Sequence, residues 1–152
     1  MDLRKLGTRN AATVSPRSTI LDAAKIMREQ HVGDVVVVGE RNGKNAPIGI
    51  LTDRDIVVST VAFNLQPDGI CVEDVMGPAL AKAQTSDSLL HVLNLMKEHG
   101  VRRVPLVNSN DELTGIISMD DIVNFLGMEL SDIAKISEVQ RNIETQRRKN
   151  LA

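Results

Sequence analysis

Gly49-Ile50-Leu51-Thr52-Asp53-Arg54-Asp55-Ile56-Val57 returns later in the chain as Gly115-Ile116-Ile117-Ser118-Met119-Asp120-Asp121-Ile122-Val123. Each copy is a short apolar run, then a hydroxyl residue, then an aspartate three positions on. That pattern marks a strand turning directly into a helix: the hydroxyl caps the new helix and the N3 carboxylate reaches back to the cap. Upstream of the motif the chain overlays itself at a shift of 69 residues. Leu3-Arg4-Lys5-Leu6 falls on Val72-Glu73-Asp74-Val75, Ile20-Leu21 on Leu89-Leu90, and Ile26-Met27 on Leu95-Met96. The overlay runs without a gap from Leu3 to Val38, and the corner motifs follow at a shift of 66. The offset changes within Gly39–Pro47, read as a turn, where length differences cost least. The chain is therefore an internal duplication.

Each copy carries the same order of elements. Thr19 to Gln30 has apolar residues at helical spacing, with Ser18 expected as its N-cap. Val35–Val38 reads as a buried strand, Ile48–Leu51 as a second, and a helix is expected from Thr52 to about Val61. The second copy gives a helix Ser88–His99, strands Val104–Val107 and Leu113–Ile117, and a helix Met119–Leu126. Helix–strand–strand–helix makes a small sheet with helices on one face, and two copies can bury their bare sheet faces against each other about a pseudo-two-fold axis. The expected boundaries are 1–62 for the first repeat, 63–71 for a link containing Pro67 and Gly69, 72–127 for the second repeat and 128–152 for a C-terminal amphipathic helix.

Composition narrows the function. The 152 residues are 42% hydrophobic, which excludes a disordered chain. One cysteine, Cys71, excludes a disulfide scaffold. A net charge of −2 and only two aromatic residues, Phe63 and Phe125, argue against nucleic acid as partner. The N-terminus lacks an apolar signal region and no run approaches membrane-spanning length, so a cytoplasmic protein without membrane contact is expected. His31, His91 and His99 have no metal-ligand spacing and read as surface or helix-end residues. Asp53, Asp55, Asp120 and Asp121 could gather Mg²⁺ only around a polyphosphate, so no metal site is expected. Phosphate-loop, nucleophile-elbow and zinc-protease motifs are absent, and no catalytic residues are assigned.

The two corners admit two readings. As capping boxes they only terminate helices. As ligand sites they combine helix N–H groups and a hydroxyl, suited to phosphate, with a carboxylate one turn on, suited to a ribose diol. Their recurrence at equivalent points favours the second.

With these corners the chain resembles a tandem pair of CBS domains, named from cystathionine β-synthase. The resemblance covers residues 3–126 and is carried by Val72-Glu73-Asp74-Val75-Met76, by His99-Gly100-Val101-Arg102-Arg103-Val104-Pro105-Leu106-Val107 and by Gly49–Ile56. The first repeat departs at Gly7, where Met is usual, and at Val36, where the second has Pro105. The resemblance implies an α/β (α+β) fold of two β-α-β-β-α repeats, a disc-shaped homodimer, and a regulatory role in which AMP, ADP, ATP or S-adenosylmethionine binds in clefts between the repeats. It assigns Thr52 and Asp55 to a site with Arg54, Asp87, Val92, Val101, Arg102 and Arg103. It assigns Ser118 and Asp121 to a second site with Ser18, Ala23, Val32, Gly33 and Asp34. The first has arginines for phosphate; the second has Asp34 and Asp120, which repel it. The expected function is thus an adenine-nucleotide sensor, tied to cellular energy state, that signals to an unidentified protein target. A scaffold that binds no nucleotide is the competing reading. The C-terminal helix is expected to pack on its dimer mate or dock a target.

Overall fold

A computed structural model describes residues 2–41, 43–77 and 81–150. Met1, Leu151, Ala152 and Asn42, the last within the predicted turn, lie outside the described residues. Two three-stranded sheets are built from matching segments. The first joins β1 (Thr13–Val14), β2 (Asp34–Arg41) and β3 (Lys44–Thr52), with α1 (Ile20–Gln30) between β1 and β2 and α2 (Asp53–Ser59) after β3. The second joins β4 (Ala83–Gln84), β5 (Arg103–Val107) and β6 (Leu113–Ser118), with α3 (Leu89–His99) between β4 and β5. A long helix, α4 (Met119–Asn150), forms a separate unit. Among the described residues no helix is long and apolar enough to cross a membrane.

In each sheet the first pairing is parallel and the second antiparallel, with a register shift after Val37 in one and after Leu106 in the other. Val35, Val36 and Val37 are all fully buried, so β2 is covered on both faces. One face packs on α1 through Ile20, Ala23 and Met27. β3 and β6 meet where the sheets approach.

Several local boundaries differ from the sequence reading. Most of Gly39–Pro47 is strand rather than turn, because β2 and β3 stay paired out to Arg41 and Lys44. The α1 cap is Thr19, not Ser18. Thr19 N–H and Oγ1 donate to Asp22 at 3.1 and 2.8 Å, and Asp22 N–H donates back to Thr19 Oγ1 at 3.1 Å. α2 stops at Ser59, and Val61–Phe63 forms a separate 3₁₀ turn. α4 runs unbroken through Gly127, where the sequence predicts a boundary. A helix tolerates one glycine at a cost of about 1 kcal/mol relative to alanine. α1 and α3 both end on a left-handed residue, Gly100 in one and His31 in the other, which places His31 at a helix end.

The repeats also exchange their openers. The 3₁₀ turn Val72–Asp74 opens the second repeat, yet Val72 lies in the first repeat's core and donates its N–H to Ser18 O at 2.9 Å. In return Leu3 donates to Thr85 O at 3.1 Å, and Thr8 and Ile116 exchange backbone bonds of 2.8 and 2.9 Å. The crossing explains the departure at Gly7: a side chain there would run into the Ile116 carbonyl, whereas the matching Met76 lies over Gly49 of β3.

Candidate functional site

β3 delivers Thr52 to the start of α2 in extended conformation, and the next residue enters the helix. The result is a complete capping box. Thr52 N–H and Oγ1 donate to Asp55 Oδ2 at 2.9 and 2.7 Å, and Asp55 N–H donates to Thr52 Oγ1 at 3.1 Å. The other first-turn donors are also engaged: Asp53 N–H with Gly33 O at 3.0 Å, and Arg54 N–H with the Asp53 carboxylate at 2.7 Å. Arg54 N–H is thus held by an exposed side chain, whereas Asp53 N–H is held by backbone and Asp55 N–H by the cap.

This corner forms one wall of a cleft of about 610 Å³, within the range of small-molecule sites. The other wall is the turn out of α3 and the start of β5: Gly100, Val101, Arg102 and Arg103. The cleft thus joins the two repeats and brings together Thr52, Arg54, Asp55, Val101, Arg102 and Arg103. Ile50, Asp53, Gly77 and Ala81 also line it and were not assigned from sequence. In the sequence Asp53 reads only as a cation ligand. Gly77 directly follows the quoted opener, which offered a signal that it lay nearby.

Asp87 and Val92 are placed elsewhere. Val92 is fully buried on α3. Asp87 accepts from Gln84 N–H at 2.8 Å and lies 3.7 Å from His91 Nε2. Of the residues assigned to the second site, Ala23 is fully buried in the first repeat's core and Val32 is partly exposed at the end of the α1 turn. Ser18 holds the Val72 N–H, and Asp121 stands on the first turn of α4. Gly33 and Asp34 border the first corner, through the Asp53–Gly33 bond and the pairing of Asp34 with Thr52. Ser118 pairs with Arg103 in the matching register of the other sheet.

Asp34 and Arg103, which occupy equivalent positions in the two repeats, meet each other. Arg103 Nε donates to Asp34 Oδ1 at 2.7 Å. Burial raises the Asp34 carboxyl above its ordinary value of 3.8; Arg103 draws it down and the Asp53 charge pushes it up. Among the described residues no three His, Cys, Asp or Glu side chains are grouped to hold a metal.

The sequence matches the CBS domain family over residues 3–60 and 72–127. It is 37% identical over 138 residues to a CBS domain-containing protein of Bacillus subtilis, covering 90% of this chain and 94% of that one. It is 34% identical over 140 residues to an uncharacterized protein of Methanopyrus kandleri, covering 92% and 68%. Among solved structures, Hypoxic Response Protein I with two coordinated zinc ions superposes with a TM-score of 0.69 at 31% identity, over 82% of this chain and 98% of that one; a hypoxic response protein 1 among the sequence relatives is from Mycobacterium tuberculosis. A CBS domain protein from Pyrobaculum aerophilum complexed with AMP superposes with a TM-score of 0.70 at 26% identity, over 80% and 89%. The chain belongs to the CBS domain family, as a pair of such domains followed by a long helix.

Proposed function

We propose that the chain is a regulatory module, not an enzyme, and that it binds an adenine nucleotide (AMP, ADP or ATP) in the Thr52/Asp55 cleft. One observation carries the reading: the cleft joins a hydroxyl–carboxylate corner from one repeat to Arg102 and Arg103 from the other, with Arg54 beside them. Three guanidinium groups suit phosphate, and they disfavour a cationic sulfonium such as that of S-adenosylmethionine. The AMP complex of a structural relative supports the same ligand class. Asp55 is assigned to the ribose diol, Thr52 and the arginines to phosphate, and Val101 to the adenine.

The Asp34–Arg103 pair supplies a route to a signal. A phosphate in the cleft competes with Asp34 for Arg103. Because this pair joins the two repeats, ligand-free and ligand-bound states then differ in how the repeats are held. Such a differential contact is required for a ligand to shift a conformational equilibrium. The module is proposed to work as a homodimer and to pass the change to a protein target. A second reading, a scaffold without nucleotide, is favoured by the engagement of the first-turn N–H groups with the protein's own acceptors.

Thermal-shift titration with AMP, ADP, ATP, S-adenosylmethionine, GMP and IMP separates the two. Ligand at a thousand times its Kd adds about 4 kcal/mol to stability. An upward shift with an adenine nucleotide, lost in Asp55→Ala, is expected. The absence of any shift favours the scaffold.

A further inference from the structure

From Leu126 to Ile143, α4 carries six branched aliphatic residues: Leu126, Leu130, Ile133, Ile136, Val139 and Ile143. Each is between 45 and 67% exposed. Their spacing is four, three, three, three and four, the same read from either end. The midpoint falls between Ala134 and Lys135, which is also the midpoint of the helix. Charge reverses at the same place. Met119–Ala134 holds four carboxylates and no Lys or Arg, whereas Lys135–Asn150 holds five Lys or Arg and two Glu.

We infer that α4 pairs with α4 of a second copy of this chain, antiparallel and centred between Ala134 and Lys135. An isologous contact requires a surface complementary to itself under a two-fold rotation. At about 100° per residue Leu126, Ile133, Ile136 and Ile143 share one face and meet this requirement for antiparallel helices: Leu126 faces Ile143 and Ile133 faces Ile136, while Leu130 and Val139, a half-turn apart around the helix, flank the seam on opposite sides. The same register sets the acidic half of each helix against the basic half of the other, with Asp121 opposite Arg148. A parallel pair would instead place acidic against acidic and basic against basic. Glu129 meets Gln140 within the seam, a carboxylate opposite an amide donor, which fixes the register as polar seam residues do. Positions 126, 129, 133, 136, 140 and 143 follow a seven-residue repeat, so the helices cross at a shallow angle. The occupant is identified by self-complementarity; a different partner would need neither the palindrome nor the charge reversal.

The test uses the full chain with Cys71→Ala as background. Sedimentation velocity on Ile133→Asp/Ile136→Asp is expected to show half the parent mass, with melting of the remaining fold and nucleotide-induced shifts retained. A parent that is monomeric, or a variant of unchanged mass, overturns the proposal. Cysteine pairing reads the direction. Leu126→Cys mixed with Ile143→Cys is expected to form a mixed disulfide on mild oxidation. Leu126→Cys alone is expected to form none, since seventeen residues at 1.5 Å rise put its two copies about 25 Å apart. Dimers from Leu126→Cys alone show a parallel pair and overturn the proposal. Loss of the nucleotide shift in the parent leaves this result unaffected, so the two readings fail separately.

Discussion

The corner at Thr52 and the corner at Ser118 share a frame but differ in charge. Both run from a strand into a helix, with hydroxyl and aspartate in the same places. The positions around them have diverged. Arg54 corresponds to Asp120, Arg102 to Gly33 and Arg103 to Asp34. The residues assigned to the first corner therefore carry three guanidinium groups, and those assigned to the second carry carboxylates. Duplication conserved what folds the chain and released what a ligand would touch. The ion pair between Asp34 and Arg103 shows that this divergence is also structural, because two copies of one residue could not form it.

The largest test of the contrast is Asp55→Ala. It is expected to abolish nucleotide binding, a loss of at least a hundredfold by calorimetry, and to cost about 1 kcal/mol in stability through the broken cap. Asp121→Ala should leave the same nucleotide affinity within threefold. Equal losses from both would break the distinction between the corners.

A second test compares matching glycines. A side chain at Gly115 would meet Thr8 O at 2.6 Å, and one at Gly49 would meet Met76 Sδ at 2.6 Å. Backbone cannot yield as a methionine can, so Gly115→Ala should cost about 2–3 kcal/mol and Gly49→Ala about 1 kcal/mol in urea denaturation. The reverse order would show that the opener Thr8 is easily displaced from β6.

Arg103→Ala is expected to cost about 1–2 kcal/mol, since it leaves a mostly buried carboxylate without its partner while the guanidinium it removes is about a third exposed. The sign with pH follows from the raised Asp34 carboxyl. A group whose folded pKa lies above its unfolded value favours folding below the unfolded value, and that contribution is lost as pH rises through the folded one. Without Arg103 the folded value rises further. The variant should therefore recover stability as pH falls from 7 toward the carboxyl range, and denaturation at a series of pH values measures this. A variant that tracks the parent at every pH would remove Asp34 as Arg103's partner.

The smallest effect sharpens the comparison. Asp34→Asn removes the competing charge and should raise nucleotide affinity a few-fold. It should also flatten the part of the stability profile that lies between pH 4 and the raised Asp34 value. Weaker binding would show that Asp34 holds Arg103 in position for the ligand.

The duplication, the two corners and most helices were legible because each depends on residues within a few positions of one another. Thr52 and Asp55 declare a capped helix wherever the strand before them is placed. Errors arose where neighbouring choices were nearly equal. Ser18 and Thr19 can both cap a helix, and the Asp22 return bond selects Thr19. Gly127 signals a stop, yet continuation through it costs little. Leu130, Ile133, Ile136, Val139 and Ile143 were legible as an amphipathic helix, while its continuity with the helix from Met119 was not.

The sequence by itself determined a repeated strand-to-helix unit and its charge asymmetry, since periodicity, capping and charge are local properties. Only the tertiary structure decided that each opener crosses to the other repeat, that Asp87 and Val92 do not line the cleft, and that Asp34 meets Arg103. Those contacts join residues tens of positions apart. Their partners are selected by how two sheets bury their faces together, and no short window of sequence records that choice.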